Sequence, residues 1–290
     1  MNFKENMGKN KYKTISNDDI NKIFKHKIIQ TDNFNSYSEL FIYGNDVYKI
    51  YMSNPELSGQ NLEMLNLLFE FKNELSQIKE IVLPNNILVY NDHLVGFTMP
   101  FIEGTLLIDL LQNINHETAK SIFIRLINII NQTRLLSFPF SFNDLHEKNI
   151  IVDSSGNLHV IDCDGFVINN KVFKENGAIA YGKYLNNNVT TKNINSIDYI
   201  CLLCIILKYL LKDIKVYNLN PIEFLEDMQI QNTTLNTLIE RTKKDNFILE
   251  ANDIVNLFNL DFSKLNSKPL VLKRVKNKID IYKFKRLVTR

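Results

Sequence analysis

A chain of 290 residues, with 45% hydrophobic and 23% charged side chains and few glycines or prolines, is long enough to bury a sizeable core, and its balance excludes a disordered or low-complexity polypeptide. The formal net charge of +2 conceals an asymmetry: the segment from Lys264 to Arg290 holds ten Lys or Arg and one acid, Asp280, which leaves the first 263 residues net acidic. The three cysteines form no disulfide framework, and the C-x-x-C pair Cys201 and Cys204 lies within the apolar run IDYICLLCIILKYLL, which reads as a buried helix rather than a redox or metal motif. That run is too short to span a bilayer and is broken by Lys208; Met1–Lys22 lacks the apolar core of a signal peptide. A reducing, cytoplasmic setting with no transmembrane segment is therefore expected.

In chain order, residues 1–15 are mostly polar and are expected to form a flexible tail. SNDDINKIFK offers Ser16 or Asn17 as the cap of a short helix with acids in its first turn. SELFIYGNDVYKIYM places two β-rich runs around Gly44-Asn45-Asp46, a hairpin signal. Apolar positions at helical spacing predict one long helix over Glu56–Gln77, and NNILVYNDHLVGFTMPFI predicts a second hairpin turning at Asn91-Asp92. After Pro100 the pattern becomes helical, in EGTLLIDLLQ and in NHETAKSIFIRLINIINQTRLL with Asn115 as its cap. Two short strands, Ile150–Val152 and Leu158–Ile161, then flank the turn Asp153–Asn157. Weak periodicity continues to about Asn195, helical sequence runs from Ile197 to Phe258, and LVLKRVKNKIDIYKF could form a basic hairpin. No internal repeat is present. The implied domains are a strand-rich 16–100, a helical 101–262 and a basic segment 263–290, with a linker near Pro100–Gly104.

The chemistry concentrates in FSFNDLHEKNIIVDSSGNLHVIDCDGF, Phe140–Phe166. Carboxylates and amides are costly to bury unpartnered, so Asp144, Asn149 and Asp162 at the ends of two short strands suggest an oxygen-seeking ligand, a hard cation carrying phosphate. Phosphoryl transfer needs positioning, charge neutralisation and an oriented nucleophile. Asp144 can accept the hydrogen bond, and then the proton, of an attacking hydroxyl. Asn149 offers Mg²⁺ a neutral oxygen, and Asp162 an anionic one to the same or a second ion. Thirteen residues from Asn149 to Asp162 suit a hairpin that returns the chain to one edge. Asp164 is the rival metal ligand. Either half of the pattern alone would be an ordinary surface turn.

NDLHEKNIIVD followed by HVIDCDGFVI resembles the protein-kinase-like superfamily, and especially bacterial atypical Ser/Thr-kinase-like proteins with the motif pair D-L-x-x-x-N … I-D-x-D. The D-L-H form is also similar to aminoglycoside and choline kinases. The resemblance covers most of residues 30–211 and implies an α+β, bilobal fold: a small antiparallel-sheet lobe with one helix, and a larger helical lobe. It implies that Lys49, in VYKIY, reaches the α- and β-phosphates of ATP with Glu63 as its ion-pair partner, Glu56 and Glu70 being alternatives. It implies adenine contacts with backbone around Met99, Phe101 and Ile102, a γ-phosphate contact from His146, and a bracing role for Asp198 beneath the Asp144 loop. The cofactors implied are ATP and Mg²⁺ (or Mn²⁺).

The chain departs from that pattern at four places, one of them Asp164-Gly165-Phe166, which replaces the usual order after the metal Asp. QTDNFNSYSELFI contains no glycine where a phosphate loop is expected, leaving Asn33, Asn35 or Ser36 to assist backbone amides. Phe142-Asn143 precedes Asp144 where His-Arg is usual, and GAIAYGKYL stands where Ala-Pro-Glu would close the peptide-docking segment. Three functions follow as expectations: a kinase of protein Ser or Thr hydroxyls, a small-molecule kinase, and a nucleotide-binding pseudokinase. The basic C-terminal segment is either a solvated face or a surface for an acidic partner.

Overall fold

A computed structural model describes residues 11–25, 38–51, 55–171, 194–211 and 232–261. The glycine-free stretch with Asn33, Asn35 and Ser36, the GAIAYGKYL segment, the side chain of Glu56 and the basic C-terminal hairpin lie outside the described residues.

The first described element is a strand, β1 (Tyr12–Thr14), in the stretch expected to be a loose tail. It pairs in parallel with β4 (Asn86–Tyr90), and Ile15 N–H continues the pairing to the Val89 carbonyl at 2.9 Å. Lys11 Nζ and the Tyr12 hydroxyl both donate to Asn66 Oδ1 at 2.8 Å, so polar side chains found partners that composition does not reveal. Helix α1 (Asn17–Phe24) starts in a capping box: Ser16 Oγ accepts from Asp19 N–H, and the Asp19 carboxylate accepts from Ser16 N–H.

The two expected hairpins form. β2 (Ser38–Tyr43) and β3 (Asp46–Tyr51) turn at Gly44, whose φ of 64° is accessible to glycine without steric cost. β4 and β5 (His93–Pro100) turn through Asn91 and Asp92, both at positive φ, as a two-residue hairpin loop requires. The resulting sheet has the order β1-β4-β5-β3-β2. Its faces divide by strand alternation. Tyr48, Phe41 and Leu88 pack with Ile15 and Ile23 under α1; Val47, Ile87, Phe97 and Met99 join the main core under α2 (Pro55–Glu70).

The long helix predicted to reach Gln77 is interrupted. After α2, Phe71 leaves helical geometry (φ −94°, ψ 7°), and a separate turn, α3 (Lys72–Leu75), follows. Phe71 packs on Phe138 with ring centroids 4.1 Å apart, a long-range contact that wins over helical periodicity. The chain leaves the sheet at Phe101–Glu103, close to the expected linker. EGTLLIDLLQ is then not one helix. Gly104–Leu106 forms β6, and only Leu107–Leu110 (α4) is helical. A Cβ on Gly104 would stand 2.5 Å from the Val152 carbonyl oxygen, so glycine permits this backbone approach.

Helix α5 (His116–Thr133) is capped by Asn115, whose side chain accepts from Thr118 N–H at 2.9 Å. Short strands β7 (Phe140–Ser141), β8 (Ile150–Asp153), β9 (Leu158–Val160) and β10 (Val167–Ile168) follow. β6-β8-β9 form one small sheet and β7-β10 another. Helices α6 (Ile194–Leu210), α7 (Thr233–Thr242) and α8 (Ala251–Phe258) complete the described chain. Cys201 and Cys204 are buried free thiols within α6, as their apolar surroundings imply. A contiguous core runs from Val47 and Phe97 through α2, α5 and α6 to Leu257. The architecture is mixed α+β, and no helix among the described residues is long and apolar enough to cross a membrane.

Candidate functional site

Two loops meet beneath the sheet, and apolar packing holds them together. β7 leads into Phe142–Asn149, and β9 leads into the 3₁₀ turn Cys163–Gly165. Phe140, Phe142 and Phe166 are buried and stack edge to face, with centroids 5.2–5.4 Å apart, so one ring from each loop is locked against β7. Asn143 Nδ2 donates to the Gly165 carbonyl at 3.1 Å. A Cβ at Gly165 would come within 3.2 Å of the Asp144 Cβ, so a side chain there would press the loops apart. Asn143 (φ 58°) and Asp162 (φ 69°) both adopt left-handed backbone. That conformation costs a non-glycine residue about 1–3 kcal/mol, and the surrounding bonds hold it.

Asp198, on α6, is the anchor beneath the first loop. It is fully buried and accepts three hydrogen bonds, from Ser141 Oγ (2.9 Å), Phe142 N–H (3.0 Å) and Asn143 N–H (3.1 Å). Burial pushes its carboxyl up to about 7, against the downward pull of the three donors. The loop backbone entering Asp144 is therefore tied to a helix 56 residues further along the chain.

The Asp144 side chain is 35% exposed, open enough to meet a solute. His146 Nε2 lies 3.7 Å from it, beyond hydrogen-bond range, while His146 Nδ1 accepts from Lys148 N–H at 3.1 Å. That bond places the ring proton on Nε2, facing Asp144. Asn149 Nδ2 donates to the Asp144 carbonyl at 3.0 Å, which fixes the amide and leaves Oδ1 as its acceptor end. Asn149's carbonyl accepts from Ile161 N–H at 2.9 Å, so Asn149 and Asp162 stand at one end of the β8–β9 hairpin.

The Lys49–Glu63 pairing expected from the sequence does not form. Lys49, only 6% exposed, forms ion pairs with Asp162 and, at 2.7 Å, with Asp164. Burial pulls the ammonium pKa down, but the two carboxylates outweigh it and the net shift is upward. Glu63 is exposed and paired with Lys171, and Glu70 is exposed as well. The reason is reach: Lys49 projects from the sheet face over which Asp162 and Asp164 lie, and α2 turns Glu63 towards the end of β10. Asp162 and Asp164, rivals by sequence, both contact the lysine, but the Asp162 side chain is 28% exposed and that of Asp164 1%.

Of the proposed adenine contacts, Met99 is buried in the ladder opposite Val47, and Ile102 packs partly against the core. The Phe101 ring is exposed, but its N–H is already bonded to the Asn45 carbonyl at 2.9 Å. Phe101 thus has only its carbonyl to offer a base edge.

Asp144, His146, Asn149, Asp162 and Lys49 are thus gathered around two contacting loops, and Glu63 is apart from them. Tyr51, two residues beyond Lys49 on β3, also belongs to this neighbourhood; a β-rich aromatic in a strand carried no sequence signal for it. Among the described residues no group of three or more His, Cys, Asp or Glu forms a metal cluster. The groups present are instead the two carboxylates on Lys49 and, on the neighbouring loop, the Asn149 amide, hard oxygens of the kind that suits Mg²⁺. A comparison with protein-family models finds none that matches this chain, and a comparison with characterised proteins finds no match to it.

Proposed function

We propose that this chain is an ATP- and Mg²⁺-dependent phosphotransferase of protein-kinase-like, bilobal architecture that acts on a hydroxyl acceptor, foremost a protein Ser or Thr. The observation that carries this reading is the meeting of Asp144, Asn149, Asp162 and Lys49 around two loops, the first of them anchored by buried Asp198. The sheet order β4-β5-β3-β2 beside one long helix, followed by a helical remainder, is compatible with the small and large lobes such an enzyme requires.

In this reading Asp162 and Asn149 hold Mg²⁺, which neutralises charge on the transferring phosphate. Asp144, accessible and next to the metal-holding loop, orients the acceptor hydroxyl and accepts its proton. His146 offers its Nε2–H to the same space. Lys49 exchanges a carboxylate for the nucleotide phosphates.

The test is incubation with γ-labelled ATP and Mg²⁺, with and without cell lysate, with proteins and small molecules separated before counting. Wild type is expected to label an acceptor, and Asp144→Asn to label it about 10²–10⁴-fold more slowly with nucleotide affinity nearly unchanged. Undiminished labelling by Asp144→Asn removes the catalytic role; label found only in small molecules moves the acceptor class.

One observation favours a second reading, nucleotide binding without transfer. Lys49 sits on the carboxylates that would hold metal, and Glu63 is engaged by Lys171 rather than by Lys49. Nucleotide binding by a wild type that labels no acceptor would select it.

A further inference from the structure

Two anchors hold the centre, and they belong to different parts of the molecule. Lys49, on β3, holds the turn that carries Asp162 and Asp164, while Asp198, on α6, holds the start of the loop that carries Asp144. Each anchor fixes its own loop, and neither fixes one loop against the other. Transfer to a hydroxyl depends on that relative placement, because the group that orients the acceptor must stand at a set distance from the phosphate.

Hydrogen bonds join the loops on two sides. Ile161 N–H donates to the Asn149 carbonyl at 2.9 Å, on the side of the proposed metal ligands. On the Asp144 side, Asn143 Nδ2 donates to the Gly165 carbonyl at 3.1 Å. Gly165 N–H in turn donates to the Asp162 carbonyl at 3.3 Å, so a run of bonds leads from the residue before Asp144 to Asp162 itself. The Phe142–Phe166 contact draws the loops together, but apolar packing fixes direction less tightly than a hydrogen bond of defined length and angle. Asn143 is only 4% exposed, and its N–H is bonded to Ser141 Oγ (2.9 Å) and Asp198 Oδ1 (3.1 Å), so the amide projects from an anchored backbone. Its φ of 58° is one that asparagine adopts more readily than most side-chain-bearing residues. We propose that Asn143 is a positioning residue: its side-chain amide sets Asp144 in register with the turn that carries Asp162. Being buried, it acts through Asp144 rather than by touching a ligand. The inference rests on the phosphotransferase reading given above.

The test compares wild type, Asn143→Gly and Gly165→Ala. Three quantities are measured: transfer of label from γ-labelled ATP with Mg²⁺ to water and to the lysate acceptor that wild type labels, affinity for ATP with Mg²⁺, and melting of the ligand-free proteins. Asn143→Gly keeps the left-handed backbone and removes the amide. Gly165→Ala keeps the amide and adds a methyl group 3.2 Å from the Asp144 Cβ. Both are expected to slow transfer at saturating ATP by about 10- to 10²-fold, the scale for a misplaced reacting group, with ATP affinity within about twofold of wild type. An unchanged transfer rate in either variant overturns the inference. So does a loss of ATP affinity as large as the loss of rate, since Asn143 would then support the whole centre rather than the place of Asp144. If Asn143→Gly shows no cooperative melting, Gly165→Ala decides by the same two criteria; no cooperative melting in either overturns the inference, because the contact would then be structural. Wild type that transfers label to neither water nor an acceptor overturns the phosphotransferase reading and this inference with it, whereas transfer by wild type that persists undiminished in both variants overturns only the role of Asn143.

Discussion

Lys49 illustrates how the environment of one residue reverses an expected outcome. As a partly solvated partner of Glu63 it would contribute little to stability, because exposed ion pairs are worth about 0–1 kcal/mol. Buried between Asp162 and Asp164, it neutralises a carboxylate that has almost no access to water. Lys49→Met is therefore expected to cost about 3–5 kcal/mol, the range for breaking a buried pair, in addition to any loss of phosphoryl transfer. Urea unfolding followed by circular dichroism measures it; a cost below about 1 kcal/mol would show that the carboxylates hold the loop without the lysine. Asp198 gives a second residue-scale expectation, with a sign. Its folded pKa of about 7 lies above the unfolded value, so the folded state binds the proton more tightly. The stability this supplies is complete below about pH 4 and is lost as pH rises to about 7. Asp198→Asn removes the titrating group, so its penalty relative to wild type is expected to shrink between about pH 4.5 and about pH 7.5. Parallel denaturant titrations would show this, and a penalty that stays flat across this range would mean that the three donors keep Asp198 ionised.

Among the elements, β3 and β5 decide where Lys49 stands. They are antiparallel neighbours with Lys49 opposite Phe97 and Ile50 opposite Gly96. A Cβ at Gly96 would lie 1.9 Å from the Lys49 carbonyl oxygen, so no side chain fits without moving one strand from the other. Gly96→Ala is expected to cost at least about 2 kcal/mol, as backbone strain at special positions does. It should also weaken nucleotide binding, because the displaced strand is the one that carries Lys49. A melting curve and a nucleotide titration on the same protein test both effects. Intact affinity in a destabilised variant would show that Lys49 is placed by its carboxylate partners rather than by its strand. At the same scale, β1, β6 and the break at Phe71 were not legible. Each depends on a contact with residues far along the chain, Tyr12 with Ile87, Thr105 with Val152, and Phe71 with Phe138. The hairpin turns and the caps at Ser16 and Asn115 were legible, since each is completed by residues within a few positions.

For the whole molecule, the contiguous core from Val47 to Leu257 means that a ligand at the junction should stabilise the sheet and the helices together. ATP with Mg²⁺ is expected to raise the melting temperature as a single transition, by an increment equivalent to about 2.7 kcal/mol at a hundredfold excess over Kd. In Asp162→Asn the Mg²⁺-dependent part of that increment should disappear while the metal-free part persists. Thermal unfolding with ATP, with and without Mg²⁺, makes the comparison. Equal increments in both proteins would rule out the Mg²⁺-holding role proposed for Asp162, and two separate transitions would show that the core does not couple the sheet to the helices.

What the sequence by itself determined is the chemistry that lies close together in the chain. The Asp144 and Asn149 loop, the hairpin that brings Asp162 back beside it, and the buried helix bearing Asp198 can all be read from spacing and polarity. Five and thirteen residues of strand and turn leave the backbone few ways to run. Tertiary structure alone decided which partner Lys49 takes. Lys49 and Asp162 are 113 positions apart, and Glu63 is only fourteen away, yet the lysine goes to the distant carboxylates. The choice follows from the packing of the Phe140, Phe142 and Phe166 cluster, the direction of α2 and the burial of Asp164. A buried carboxylate gains more from a cation than an exposed glutamate does, and burial is a property of the assembled core rather than of any local stretch.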